Sequence, residues 1–167
     1  TADITITAPY AKEFTGTFDG GGHTVTLDGT TNGVFVSTAA SAVIQNLGVK
    51  GTVSGGEMIA GVVGMNAGTI KNCKNAADIT SNSRYVGGIA GQNKGTIQSC
   101  YNIGRITSSR TRSVNLGGIT GSVETAAIVK NCYNVERLLL QTRESLLPAM
   151  MGACWGRIRL TTKLFRQ

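Results

Sequence analysis

Short clusters of aliphatic residues recur along this chain, and Gly, Asn, Ser or Thr residues separate them. The clearest series is VGGIAG at residues 86–91, followed by a Thr-Ile pair at 96–97 and an Ile-Thr pair at 106–107. Clusters of about four to six residues that are rich in β-branched side chains and bounded by turn residues are typical of β-strands. The pattern therefore predicts an all-β chain made of many short strands.

The clusters form a repeat that can be aligned on three cysteines, Cys73, Cys100 and Cys132. An aliphatic residue precedes each cysteine by three positions, and an isoleucine follows the first two cysteines by six positions. A weaker unit comes earlier, with Leu47 in the place of the cysteine. The spacings from Leu47 through the three cysteines are 26, 27 and 32 residues. The longest spacing has its extra residues around 108–114, where we expect a loop between strands.

A repeat of this length indicates a stack of equivalent units, each packed on the next. Each unit offers three strands, on the Gly-Gly-Ile-x-Gly, Thr-Ile-x-Asn-Cys and Ile-Thr stretches. Stacking like on like, with strands about 4.8 Å apart, buries the aliphatic columns in a narrow interior. The sequence thus predicts a right-handed parallel β-helix with three short strands per turn. A sandwich or propeller fits less well, because Asp-Gly and Asn-Gly hairpin signals occur only near the N-terminus.

The repeat residues resemble the GLUG motif of large bacterial surface proteins, which include adhesin-like proteins and some secreted proteases. Gly88-Ile-Ala-Gly91 and Gly118-Ile-Thr-Gly121 correspond to the motif core, and Asn-Cys-Tyr-Asn at 131–134 is a frequent companion. The segment 14–25 is similar to the stretch that opens such β-helices. The resemblance covers roughly residues 14–135 and implies a β-helix. We therefore divide the chain into an N-terminal opening or cap segment (1–33), GLUG-like repeats (34–135) and a non-repeat tail (136–167).

Charge does not indicate a nucleic-acid partner, although the formal net charge is +7. Residues 136–167 carry a net +4, and residues 1–135 carry only +3. No apolar run reaches the roughly 20 residues of a membrane span, so we expect no membrane insertion. Because the chain begins with Thr1 rather than Met, we expect it to be a piece of a longer protein.

The residues that could carry chemistry have simpler structural interpretations. Since Leu47 shares their column, the aligned cysteines are expected to be buried apolar groups rather than metal ligands or a disulfide. His23, the only histidine, is expected to satisfy a local hydrogen bond, since no Gly-x-Ser-x-Gly nucleophile motif accompanies it. We predict no catalytic residue, no cofactor site and no metal site.

Carboxylates and asparagines complete the set of candidate groups. Asp78 aligns with Thr52 and Arg105, so no acidic ledge is expected along one face, and Asp19 and Asp28 are expected to form Asx turns beside glycines. Two asparagine columns are expected to stack from turn to turn through their amides. These columns are Asn75, Asn102 and Asn134, and Asn72 and Asn131 with Ser99 between them.

The tail has a different composition, with seven of the ten leucines and only two of the 23 glycines. Two explanations are open. Leu138–Met151 could form an apolar helix that caps the last turn. Alternatively, the tail is a repeat translated out of frame: shifting the codons by one base forces Asp-Gly at 151–152 and Leu-Gly at 155–156, and permits Gly-Thr-Val at 136–138. We favour the second explanation, because that Val would occupy the Ile79 and Ile106 column. In that case we expect the tail to pack poorly on the last turn.

These features favour a non-catalytic structural and binding segment of a bacterial extracellular surface protein, an adhesin-like spacer. The alternatives are an accessory domain of a secreted carbohydrate-active enzyme or protease, and then a polysaccharide lyase or hydrolase in its own right. Host or matrix glycans or proteins are the expected partners. End-to-end self-association through an uncapped C-terminal turn is a further expectation.

Overall fold

The computed structural model describes residues 2–110, 113–136 and 138–140. Within these residues the chain forms no helix and winds as a parallel β-solenoid of about four turns. Its strands stack into four sheets, and every strand pairing between successive turns is parallel. The predicted fold class, an all-β parallel β-helix built from stacked repeats, is confirmed.

The sheets are numbered I to IV, and their strands β1 to β21 follow the order of the chain. Sheet I holds β1 (Ile4–Ile6), β4 (Thr24–Thr30), β7 (Gly48–Ser54), β11 (Lys74–Ser81), β15 (Tyr101–Asn102), β16 (Ile106–Ser108), β20 (Tyr133–Asn134) and β21 (Leu138–Leu140). Sheet II holds β2 (Tyr10–Phe14), β5 (Phe35–Thr38), β9 (Val63–Asn66), β13 (Ala90–Asn93) and β18 (Thr120–Val123). Sheet III holds β3 (Thr17–Asp19), β6 (Val43–Gln45), β10 (Thr69–Lys71), β14 (Thr96–Gln98) and β19 (Ile128–Lys130). Sheet IV holds β8 (Met58–Ile59), β12 (Tyr85–Gly87) and β17 (Asn115–Gly117).

The strand register reproduces the columns expected from the sequence. Ile70 pairs with Ile97, and Ile97 pairs with Val129. Ile79 pairs with Ile106 in sheet I, and the weaker upstream unit joins at Val53. These side chains fill the interior: Ile70, Ile97 and Ile106 are all fully buried. The described residues of the long spacing that follow β16, residues 109–110 and 113–114, lie outside the sheets, as predicted.

The turns that have a strand in sheet IV (β8, β12 or β17) use four sheets where three were expected, because the Gly-Gly-Ile-x-Gly stretch bends; β1 to β6 lie only in sheets I, II and III. In the central repeat β12 ends at Gly87 and β13 begins at Ala90, so Gly88 and Ile89 form a corner. The Ile89 side chain turns inward there and is fully buried. One predicted strand is thus divided into two short strands that belong to different sheets.

A second corner precedes the cysteine of each unit. Asn46, Asn72, Ser99 and Asn131 all adopt left-handed backbone conformations there, with φ between 53° and 54°. Asparagine tolerates this conformation better than most residues with a side chain, which explains its recurrence at this position. The corner turns the chain so that the following cysteine or Leu47 points into the core.

The motif glycines make room for the asparagine column. A Cβ atom added to Gly88 would lie 2.6 Å from Cγ of Asn102. The equivalent Gly61 and Gly118 face Asn75 and Asn134 in the same way. The Gly-x-x-Gly and Asn-Cys-Tyr-Asn parts of the repeat therefore pack as one unit, because an asparagine side chain occupies the volume that the first glycine leaves free.

The predicted amide column inside the solenoid is present. Asn75 Nδ2 donates to Asn102 Oδ1 at 2.6 Å, and Asn102 Nδ2 donates to Asn134 Oδ1 at 2.7 Å. Each amide also donates to the backbone carbonyl two residues further on; for Asn102 this is Gly104 O at 2.9 Å. The ladder therefore bonds each turn to the next and also holds its own strand, which offsets the cost of burying the polar groups.

A second buried ladder was not predicted. Thr38 Oγ1 donates to Asn66 Oδ1 at 2.9 Å, and Asn66 Nδ2 donates to Asn93 Oδ1 at 2.7 Å. Asn66 and Asn93 both precede their cysteine by seven positions, which is the signal that could have revealed the column. Because Thr38 replaces asparagine in the preceding turn, the ladder begins with a hydroxyl group.

The tail enters the solenoid at its first residues. Leu138–Leu140 forms β21 and pairs in register with Ile106–Ser108 of β16. Position 138 thus lies in the Ile106 column, where the out-of-frame explanation puts a valine. A capping helix that starts at Leu138 does not agree with this strand. The remainder of the tail, residues 141–167, lies outside the described residues.

Replacing Asn102 by Ala should lower the free energy of unfolding by about 2–4 kcal/mol, because it leaves the buried Asn75 amide and the Gly104 N–H without their acceptor. Asn134→Ala is the matched control at the exposed end of the same ladder, and it should cost less than about 1 kcal/mol. Urea denaturation followed by circular dichroism measures both values. Equal losses in the two variants would contradict an energetic role for the buried ladder.

Candidate functional site

In the described part of the chain, the outward face of sheet I carries a column that combines aromatic and cationic side chains. Lys74, Tyr101 and Tyr133 occupy the same register position on three successive turns. The rings of Tyr101 and Tyr133 are parallel, with 5.1 Å between their centroids and 1° between their planes. Lys74 Nζ lies 5.8 Å from the Tyr101 ring centroid. We call these three residues the tyrosine column.

One end of the tyrosine column is open. Lys74 covers one face of Tyr101, and Tyr133 covers the other. Tyr133 is 56% exposed. An exposed aromatic face packs against apolar groups and attracts cations, and the phenol hydroxyl adds a hydrogen-bonding group. The geometry therefore provides a contact surface on the side of the rod.

The residues beside the tyrosine column are polar. Lys50, Thr52 and Asp78 are exposed on sheet I, and Asp78 pairs in register with Thr52 as expected. Asp78 Oδ1 accepts a hydrogen bond at 3.1 Å from the backbone N–H of Arg105, on the next turn. The carboxylate thus joins neighbouring turns and does not face a second carboxylate across a cleft.

Asp19 begins an external line of polar side chains along one corner. Its Oδ1 accepts hydrogen bonds from Gly21 N–H at 2.9 Å and from Asn46 Nδ2 at 3.0 Å, and its Oδ2 accepts from Gln45 Nε2 at 2.6 Å. Asn72 Nδ2 continues the line by donating to Asn46 Oδ1 at 3.2 Å. These hydrogen bonds hold the pKa of Asp19 below its ordinary value. The bond from Gly21 N–H has the largest effect, followed by those from Asn46 and Gln45.

The predicted Asx turn is confirmed at Asp19 but is wrong at Asp28. Asp28 lies exposed inside β4, where the pairing with β7 shifts register between Leu27 and Thr30. Gly29 has a φ of 66° there, so the glycine serves an irregularity in the strand. Sequence alone does not separate these cases, because both consist of an aspartate followed by glycine.

His23 lies at the N-terminal end of the solenoid. Its backbone N–H donates to Gly20 O at 2.9 Å. Its Nδ1 is 3.7 Å from Asp3 Oδ1, and Asp3 also accepts from Thr24 N–H at 2.8 Å. In the described part of the chain, no group of three or more His, Cys, Asp or Glu residues is arranged to hold a metal ion.

The cysteine column lies in the core, as expected from its alignment with Leu47. Cys73 and Cys100 are fully buried and, like Cys132, are free thiols. Their sulfurs donate to nearby carbonyl groups, for example Cys73 Sγ to Lys71 O and Cys100 Sγ to Gln98 O, both at 3.2 Å. The thiols therefore pack as small apolar groups that also have hydrogen-bond partners.

The thiols perturb one another. The hydrogen bond with Cys100 lowers the pKa of Cys73. The hydrogen bond with Cys132 lowers the pKa of Cys100. The hydrogen bond with Cys73 and the burial of the thiol raise it by more, so that the pKa of Cys100 is about 12. The bond with Cys100, and then burial, raise the pKa of Cys132. At neutral pH the column therefore has little thiolate at Cys100 and Cys132.

Comparison of the chain with protein-family models, with curated proteins and with solved structures finds no match in any of the three. The resemblance to the GLUG repeat therefore stays a prediction that rests on the motif residues. Over the residues with described structure, no helix is long and apolar enough to span a membrane.

The tyrosine column was not singled out from the sequence. Tyr101 and Tyr133 follow the aligned cysteines directly, and Lys74 takes the same place after Cys73. The alignment therefore places these three residues in one column, but it could not show that their side chains point outward. That orientation depends on the left-handed corner residue two positions before each of them.

In the native chain, Cys73 and Cys100 should not react with a thiol reagent at pH 7.5, because they are buried and the thiolate is the reactive form. Half-buried Cys132 should react slowly, and all three should react after unfolding. Maleimide labelling followed by peptide mass mapping measures this. Rapid labelling of Cys100 in the native chain would contradict a buried structural thiol.

Lowering the pH should reduce the contribution that the hydrogen bonds of Asp19 make to the stability of the folded chain. Because the pKa of Asp19 is lower in the folded chain, its contribution to stability is complete above the unfolded-state value of about 3.9 and is lost as pH falls through the lower folded-state value. The difference in stability between wild type and Asp19→Asn should therefore be larger at pH 6 than at pH 2. Urea denaturation at both pH values measures it, and Asp28→Asn is the matched control.

Proposed function

We propose that this chain is a non-catalytic, rigid β-helical spacer of a bacterial extracellular surface protein, and that it presents an adhesin-like binding face. The observation that carries the proposal is the use of polar side chains as links between turns. The buried asparagine ladders, Asp19 and Asp78 all bond one turn to the next. Hydrogen bonds between turns at these positions favour a stiff rod that holds other parts of a protein apart.

The lateral faces of the rod support the binding part of the proposal. Sheet I presents Thr, Ser and Lys side chains beside the tyrosine column, and these groups donate and accept hydrogen bonds as sugar hydroxyls require. Glycans of a host or matrix are the ligand class that fits such a surface. Lys74 and Lys50 favour glycans that carry acidic groups.

The binding face can be tested on a glycan array with the full chain. We expect binding, and we expect Tyr133→Ala and Lys74→Ala to weaken it by about tenfold, since exposed aromatic anchors commonly dominate such contacts. Tyr85→Ala is the matched control, because Arg84 stacks on Tyr85 in sheet IV, 5.2 Å from its ring centroid. Equal losses in all three variants would contradict a role for the tyrosine column.

A depolymerisation assay on the same glycans tests the absence of catalysis. We expect no turnover. Turnover that disappears in Asp19→Asn, Asp28→Asn or Asp78→Asn would overturn the proposal and favour a polysaccharide-degrading enzyme. Turnover by a longer protein that contains this chain, but not by the chain alone, would favour the accessory-domain alternative.

A further inference from the structure

The cysteine column places one thiol at the same position of three successive turns. The strands before each cysteine pair in register, β10 with β14 and β14 with β19, and so do the strands after it, β11 with β15 and β15 with β20. Cys100 therefore has Cys73 on one side and Cys132 on the other. In the structure all three are free thiols.

Each thiol is oriented towards the preceding turn. The Sγ atoms of Cys73, Cys100 and Cys132 lie 3.9, 3.8 and 3.8 Å from the carbonyl oxygens of Ile44, Ile70 and Ile97 on that turn. Cys100 Sγ also accepts a hydrogen bond at 3.4 Å from the backbone N–H of Cys73. The sulfur of Cys100 therefore lies directly beside the cysteine of the preceding turn.

The spacing of the turns decides which of these thiols can be joined. Successive turns of a parallel stack are about 4.8 Å apart, and a disulfide joins cysteines whose Cα atoms are about 4.4–6.8 Å apart. Neighbours in the column meet this condition. Cys73 and Cys132 are two turns apart, about 9.6 Å, which is too far for a bond. Because equivalent rotamers hold neighbouring sulfurs about one turn apart, bond formation requires one of the two thiols to rotate about its Cα–Cβ bond.

We propose that in an oxidising environment the cysteine column forms one disulfide, that Cys100 is always one of its two members, and that either Cys73 or Cys132 is the other. The third thiol of the column stays reduced. The bond links two neighbouring turns covalently, in addition to the hydrogen bonds between their strands. This pairing follows from the stacking of the column and does not rest on the proposed function.

The oxidant is a small dialkyl disulfide such as oxidised glutathione. One cysteine thiolate attacks a sulfur of the oxidant, forms a mixed disulfide and releases one glutathione thiolate. The thiolate of the neighbouring cysteine then attacks the protein-bound sulfur and releases the second glutathione thiolate. Two cysteine thiols are thus oxidised to one disulfide, one glutathione disulfide is reduced to two thiols, and the two protons of the cysteines end on the released thiolates.

The pairing can be mapped in the full chain. A fourth cysteine, Cys154, lies outside the described residues, so every protein in the test carries Cys154→Ser. The reduced, unfolded chain is refolded at low concentration in reduced and oxidised glutathione at about pH 8, where thiolates form. Remaining thiols are blocked with maleimide, and the disulfides are identified by peptide mass mapping without reduction. Trypsin cleaves after Lys94 and Arg105, so that Cys100 lies on a peptide of its own.

We expect the folded chain to contain the Cys73–Cys100 and Cys100–Cys132 disulfides and no detectable Cys73–Cys132 disulfide. The same glutathione mixture in concentrated urea is the control, because an unfolded chain has no turn spacing to restrict the pairing. All three disulfides should form there. The Cys73–Cys132 disulfide should be about a third as frequent as the others in urea, since its loop is about twice as long.

Three alanine variants test the role of Cys100, and each retains two thiols of the column. Cys73→Ala and Cys132→Ala retain neighbouring thiols and should form their disulfide. Cys100→Ala retains two thiols that lie two turns apart and should stay without an intramolecular disulfide when folded. Circular dichroism checks that each variant folds. If Cys100→Ala does not fold, the map of the chain with all three column cysteines still decides, because it contains every possible pair.

Two results would overturn the proposal. One is a folded chain that has no intramolecular disulfide among the three cysteines in the glutathione mixture. The other is a Cys73–Cys132 disulfide in a folded protein, whether or not Cys100 is present. Both are independent of the glycan array and the depolymerisation assay. A chain that binds glycans with its column reduced would retain the proposed function, whereas a chain that forms these disulfides and degrades polysaccharide would lose it.

Discussion

The in-register parallel stacking of equivalent residues is the constraint on which the rest of this structure depends. Each residue has the corresponding residue of the next turn as its neighbour, about 4.8 Å away. A column must therefore hold side chains that tolerate copies of themselves. Aliphatic groups meet this condition by packing, as Ile70 and Ile97 do. Amides meet it because one end donates and the other accepts, as in the ladder through Asn75 and Asn102.

Stacking also explains why residues far apart in the repeat depend on one another. A glycine at the first corner leaves the space that an asparagine fills 14 or 16 residues later, as with Gly88 and Asn102 or Gly118 and Asn134. Substituting one residue of such a pair affects the neighbouring turn as well as the turn that contains it, because the asparagine amide forms a hydrogen bond with the asparagine of the next turn. Polar groups with hydrogen bonds in both directions link a turn to the turn before it and to the turn after it.

The ends of the solenoid follow from the same constraint. Within the described residues, the last members of two columns, Val129 and Leu138, are exposed although their counterparts in the preceding turn are buried. In the first turns, the rings of Phe14, Phe18 and Phe35 pack together and fill part of the interior.

Alignment of the repeats found most of the stacked side chains, but it missed the Asn66 and Asn93 ladder and the corners where the backbone bends. The columns of Ile70, Ile79 and Cys73 could be read by alignment alone, since equal spacing from turn to turn implies stacking. The corner at Gly88 could not, because the local pattern fits a continuous strand equally well. The irregularity at Asp28 was missed for another reason, because its Asp-Gly pair is the same as that of the Asx turn at Asp19.

The amino-acid sequence by itself determined the repeat, the parallel stacking and the residues that share a column, because these depend only on spacing. Tertiary structure decided which way each column faces, and with it the distinction between a buried Asn75 and an outward Lys74 one residue earlier. The left-handed corner at Asn72 sets that orientation. The rotation there depends on how successive turns pack, which spacing along the chain does not record.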